Sequence, residues 1–123
     1  METNQYFYRC AVFTRKDNII ALADIYQPDH TSELEEWFGV VISLADGQHT
    51  LQELVDFMAK QYATAPANLE ETLNSVIERL LEGNLIKLSP KKIQLPYYLI
   101  NPIEQLDIKK AKQIMEKDGY TLH

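Results

Sequence analysis

The sequence predicts one α+β domain, on three observations. Two runs rich in aromatic and β-branched residues come first, Tyr6 to Phe13 and Ile19 to Tyr26. Three stretches follow in which apolar residues recur at three- and four-residue steps. A short apolar run broken by a turn then lies at 85–95, ahead of one thinner helical stripe. The 123 residues are 46% hydrophobic and 24% charged, the balance of a globular chain with room for a single core.

In Tyr6 to Phe13 the inner face is open to two readings: Tyr6, Tyr8, Cys10 and Val12, or Phe7, Ala11 and Phe13. The polar break Thr14 to Asn18 makes an antiparallel hairpin the economical link to Ile19 to Tyr26. Gln27 to Thr31, with Pro28, reads as the end of that strand. Ser32 and Glu35 have the spacing of a capping box, so a helix is expected from there, with Leu34, Trp37, Phe38, Val41, Leu44 and Ala45 on its stripe and Asp46-Gly47 as its stop. Thr50 and Glu53 repeat the spacing, and Leu51, Leu54, Val55, Met58 and Tyr62 carry a second helix to about Ala63. A third begins near Pro66 to Asn68 and carries Leu69, Leu73, Val76, Ile77, Leu80 and Leu81 up to Gly83, which suits the left-handed position after a helix.

Leu85–Leu88 and Ile93–Leu95, around Ser89-Pro90-Lys91-Lys92, read as a two-stranded wing. Asn101, Pro102 and Glu104 then announce a last helix running to Gly119, docked less tightly through Ile103, Leu106, Ala111, Ile114 and Met115. An N-terminal hairpin, three helices and a wing follow the winged helix-turn-helix order. The expected organisation is a domain over 1–96 with a helical extension over 97–123 packed on it.

Composition narrows the function. Cys10 is the only cysteine and His30, His49 and His123 share no ligand spacing, so neither a disulfide nor structural zinc is expected, and no cofactor. Residues 1–86 carry five basic side chains against fourteen acidic ones, whereas residues 87–123 carry seven lysines against four acids. An acidic body repels polyphosphate, which disfavours nucleic acid as a partner. Adjacent pairs such as Glu35-Glu36 and Glu70-Glu71 point about 100° apart on a helix and fit dipole compensation better than acid–base catalysis. With no nucleophile elbow, phosphate loop or metal triad, the expectation is a protein that is not an enzyme. No apolar run reaches membrane-spanning length and the first residues lack a secretory signal, so the expected compartment is the cytosol.

The link Leu44-Ala45-Asp46-Gly47-Gln48-His49-Thr50-Leu51-Gln52-Glu53-Leu54 resembles the L-x-D-G-x-x-T-x-x-E-[IL] stretch of PqqD-like proteins, the peptide chaperones also called RiPP recognition elements. Leu80-Leu81-Glu82-Gly83-Asn84-Leu85-Ile86 resembles the L-x-x-x-G-[LI]-[IL] ending of the same family. The likeness covers about Leu34 to Leu88. It departs from the family in showing two obvious strands before the first helix instead of three, with Gln27 to Ser32 between, and in the added last helix.

The resemblance implies binding of the leader segment of a precursor peptide, as a strand added between a sheet edge and the third helix, and its presentation to a modifying enzyme. The candidate edge is Ile19 to Ile25, with Ile20, Leu22 and Asp24 as peptide-binding positions, and Asn74, Ile77 and Leu81 would face it from the third helix. The plainer reading of Ile77 and Leu81 is that they widen the core stripe. Alternatives are a protein–protein interaction or scaffolding domain using the lysines of the last helix, a homodimer, and a winged-helix DNA-binding regulator.

Overall fold

The computed structural model describes residues 3–17, 19–61 and 68–119, with residues 28 and 29 described by their backbone alone. The first aromatic run is two strands, not one: Tyr6–Arg9 (β1) and Phe13–Lys16 (β2), which enter different sheets. The backbone beyond β1 is held from both sides, because Arg9 N–H donates to Ala45 O and Cys10 N–H to Leu85 O, each at 2.8 Å. Past that clamp Val12 turns into a second core while Phe7 and Phe13 stay in the first, so both faces of the run are covered.

β1 is the middle strand of an antiparallel sheet, between Asp46–Thr50 (β5) and Ile86–Ser89 (β6). The expected wing hairpin is therefore not formed. β6 pairs along its whole length with β1, from Tyr6 opposite Ser89 to Arg9 opposite Ile86, and residues 93–95 are not a strand. They instead cross β5, where Ile93 N–H donates to Gly47 O at 3.0 Å. Glycine is required there: Gly47 has φ +78°, and a Cβ would lie 2.5 Å from Ile93 O.

The second sheet runs in the order β2, β3 (Ile19–Asp24), β4 (Gln27–Glu33), all antiparallel. The expected hairpin of β2 and β3 forms, with a tighter link than the polar break suggested, since β2 extends to Lys16 and Asp17 takes φ 51°. Gln27 to Thr31 does not end the sheet but builds its third strand. A proline is tolerated at Pro28 because the strand is at a margin. Ser32 consequently lies inside β4 and caps nothing; Glu36–Leu44 (α1) starts after Glu35 with no side-chain cap.

Leu51–Gln61 (α2) begins with the expected capping box: Thr50 N–H donates to Glu53 Oε1 at 3.1 Å, and Glu53 N–H to Thr50 Oγ1 at 3.2 Å. The expected end of this helix at Tyr62 and Ala63, and the start of the next at Pro66, lie outside the described residues. Leu69–Glu82 (α3) closes at Gly83, which is right-handed at φ −79°; the left-handed residue is Asn84, at φ 58°. Leu85 N–H bonds back to Leu80 O at 3.0 Å, so the chain turns one residue later than expected. α1, α2 and α3 bury Val41, Ile42, Leu54, Met58, Leu73, Ile77 and Leu80 against Phe7, Phe13 and Ile86.

The last segment is not one helix from Asn101. It comprises Tyr97–Ile100 (α4), a 3-10 turn at Ile103–Gln105 and Ile108–Asp118 (α5). Asp107 restarts the helix by accepting Lys110 N–H at 3.2 Å, and Gly119, at φ 69°, ends it. Leu95, Tyr98, Leu99, Ile103, Ala111 and Met115 meet Val12, Ala23 and Ile25 in the second core, so the β2–β3–β4 sheet lies between α1 and this extension. The architecture is thus α+β, with two three-stranded antiparallel sheets and five α-helices among the described residues.

Arg9 joins these parts. It is 2% exposed. Its Nε donates to Leu99 O at 2.7 Å and its Nη2 to Ile100 O at 2.6 Å. Nη1 donates to Ile42 O at 2.8 Å and Ser43 O at 3.2 Å. The guanidinium also stacks 4.5 Å from the Phe13 ring centre. These carbonyls belong to the last turns of α1 and α4, where partners within the helix run out; Ile42 O also accepts Ala45 N–H, at 3.3 Å. Burial lowers the Arg9 pKa to about 10, against the opposing pull of Asp46, so the group stays cationic at neutral pH.

Arg9→Met keeps the apolar stem and strips four carbonyls of their donor. The expected cost is roughly 3 kcal/mol or more, read as a lower urea midpoint. Gly47→Ala is expected to lose about 1–3 kcal/mol in the same measurement, from the left-handed backbone and the collision with Ile93.

Candidate functional site

An extended peptide can join a sheet only where a strand has one side unpaired. β3 has none. It is bonded to β2 on one side and β4 on the other, so Ile20, Leu22 and Asp24 do not lie on an open edge as expected. Ile20 packs under α1, where a Cβ on Gly39 would lie 3.0 Å from its own Cβ. Leu22 is half-buried, and Asp24 Oδ1 accepts Tyr26 N–H at 2.8 Å in the turn into β4.

The α3 positions are corrected in the same way. Ile77 is 2% exposed, inside the core, because it follows Leu73 by one helical turn. Leu81 is half-buried against the same core, and Asn74 Nδ2 donates to Glu78 Oε1 at 3.4 Å. The plainer reading of Ile77 and Leu81 describes them correctly.

The two margins of the sheet differ. Ala23 N–H donates to Val12 O at 3.0 Å, so alternation along β2 turns the peptide groups of Phe13 and Arg15 outward. That side is covered. Arg15 N–H donates to Glu104 Oε1 at 3.0 Å, and Thr14 Oγ1 donates to the other carboxylate oxygen. Desolvation alone would raise the Glu104 pKa, but these hydrogen bonds outweigh it, helped by Lys16, and the net shift is downward.

On the other margin Leu34 N–H donates to Ile20 O at 3.1 Å, so Ser32 faces β3 while the peptide groups of Thr31 and Glu33 face away. Among the described residues no hydrogen bond reaches them. Glu35 and α1 come directly after this strand, and between α1 and α3 lies a groove of about 430 Å³. Trp37, Phe38 and Val76 supply its apolar surface; Glu35, Glu36, Thr72, Ser75 and Arg79 supply its polar surface. The flank of α3 that opens here is the one opposite to that expected. Its signal in the sequence is the small polar pair Thr72 and Ser75, seven and four residues before Arg79, on one helical line.

Other chemistry is sparse. Among the described residues no group of three or more His, Cys, Asp or Glu side chains is placed to hold a metal ion. Cys10 is half-buried and burial raises its thiol pKa, against a weaker opposite effect of Lys87, which makes thiolate scarcer at neutral pH. No described helix is long and apolar enough to cross a membrane. Compared with protein-family models, with curated proteins and with solved structures, the chain matches none.

Because its folded pKa is lowered, the Glu104 carboxylate contributes stability that is present above the ordinary carboxylate range, roughly pH 4–5, and is lost as pH falls through the lowered value. Glu104→Gln is expected to flatten the acid limb of the stability profile. It should also speed hydrogen exchange at the Arg15 amide; unchanged exchange there would show that the margin is protected by something else.

Proposed function

We propose that this chain is a non-catalytic peptide-binding module of the winged-helix, PqqD-like type, which takes the leader segment of a precursor peptide as a strand added to β4 and offers it to a modifying enzyme. The observation that carries the reading is the unpaired outer margin of β4, which leads directly into the groove between α1 and α3. Three antiparallel strands, β2 to β4, precede α1 with one short step between, as the family resemblance implies. In this reading the sheet β5–β1–β6 serves as the wing, with the N-terminal strand β1 standing where the second wing strand would be.

The mode explains how affinity and choice divide. Main-chain bonds to Thr31 and Glu33 hold any extended segment, while Trp37, Phe38 and Val76 select for a side chain that fills the apolar part of the groove. Catalysis has no part in it.

Thr31→Pro removes an N–H that faces away from β3, leaving the ladder intact. It is expected to weaken a bound peptide roughly tenfold or more, from lost backbone bonds and the blocking ring, while the urea midpoint stays close to wild type. Titration followed by nuclear magnetic resonance should move amides of 30–33 and of 72–79 together. Shifts confined to the lysines 87, 91 and 92 would instead favour nucleic acid.

A further inference from the structure

Resting on the peptide-binding reading, we infer that the segment this groove accepts is basic: an extended chain with lysine or arginine on either side of one large apolar residue. The first ground is the distribution of charge. Glu33, Glu35 and Glu36, at the end of β4 and the start of α1, are exposed. On α3, Glu71, Glu78 and Glu82 are exposed and fall on one helical line, beside the line of Thr72, Ser75 and Arg79 and on the side away from the buried Leu73 and Ile77. Both walls of the groove are therefore bordered by carboxylates, and among the described residues Arg79 is the one basic side chain lining it.

The second ground is the geometry of an added strand. Its side chains alternate, so the residues two before and two after the one directed at Trp37, Phe38 and Val76 share its face and run along the acidic rims. An acidic segment meets repulsion on both walls. A second copy of this chain pairing β4 to β4 would gather the exposed acids at the end of both strands along one seam, which disfavours that occupant. Long cationic side chains satisfy both conditions, since their stems cover apolar surface while their heads reach carboxylates.

The test uses the full chain and three labelled peptides of equal length that share one central leucine, with lysine, serine or glutamate at the flanking alternate positions. The lysine peptide is expected to bind about fivefold tighter than the serine peptide in about 50 mM salt, and the difference should close as salt rises tenfold. Arg79→Glu should tighten the lysine peptide about threefold relative to the serine peptide, and Glu33→Gln with Glu35→Gln should weaken the lysine peptide by a similar factor. These exposed positions are expected to leave the thermal midpoint unmoved. If the serine or glutamate peptide binds as well as the lysine peptide and shifts amides of 30–33 and 72–79, peptide binding stands and the basic preference is overturned. If no peptide shifts those amides, both readings fall, and lysine-peptide shifts elsewhere overturn this one as well.

Discussion

Everything in this fold is arranged around a cation in a dry place. Among the described residues no carboxylate pairs with the Arg9 guanidinium; the four hydrogen bonds it makes to them all end on backbone carbonyls, two from α1 and two from α4. Transferring such a group from water is unfavourable unless its donors are met, and helix ends supply acceptors with partial negative charge and room for a further donor. The arrangement fixes where α1 stops, and it fixes α4 against that stop. It also explains why the segment after residue 96 is not a loose appendage. Its first turn completes the coordination of a residue on β1, and its remaining apolar side chains share a core with Val12, Ala23 and Ile25. Among the described residues every buried side-chain polar atom has a partner, so the polar centre is fully satisfied.

The same segment decides which side of the neighbouring sheet is closed. An unpaired strand invites other chains, and proteins cover or blunt such margins. Here Glu104 covers β2 with a carboxylate that stands in for a neighbouring strand. Among the described residues none hydrogen-bonds to the outer margin of β4, yet the strand is polar, carries Pro28 and ends at the exposed Glu33, features that resist indiscriminate pairing. A margin that is open but guarded is what separates a receptive edge from an aggregating one.

The helices were legible because one-sided burial writes a 3.6-residue rhythm, as in Leu69, Leu73, Val76 and Leu80, and because Thr50 and Glu53 bond as their spacing requires. Where burial has two sides, no rhythm forms. Tyr6 to Phe13 contributes to both cores, and its division after Arg9 depends on Ala45 and Leu85, far along the chain. β4 was hidden for the opposite reason: a polar strand at a margin has the composition of a loop. Arg9 carried no signal, since a single arginine in an aromatic run does not show that helix ends from distant segments converge on it. The groove was missed because its helix flank is built from Thr72 and Ser75 rather than from the apolar Ile77.

The placement of β1 has a consequence for how the chain is made. The first strand pairs on one side with residues 46–50 and on the other puts residue 7 opposite residue 88. During synthesis β1 emerges before both partners and stays without the second until residues 86–89 have been made. The helical contacts between, being closer in sequence, assemble sooner. The strand made before its partners is therefore locked in late, and it closes its sheet over helices that have already begun to pack.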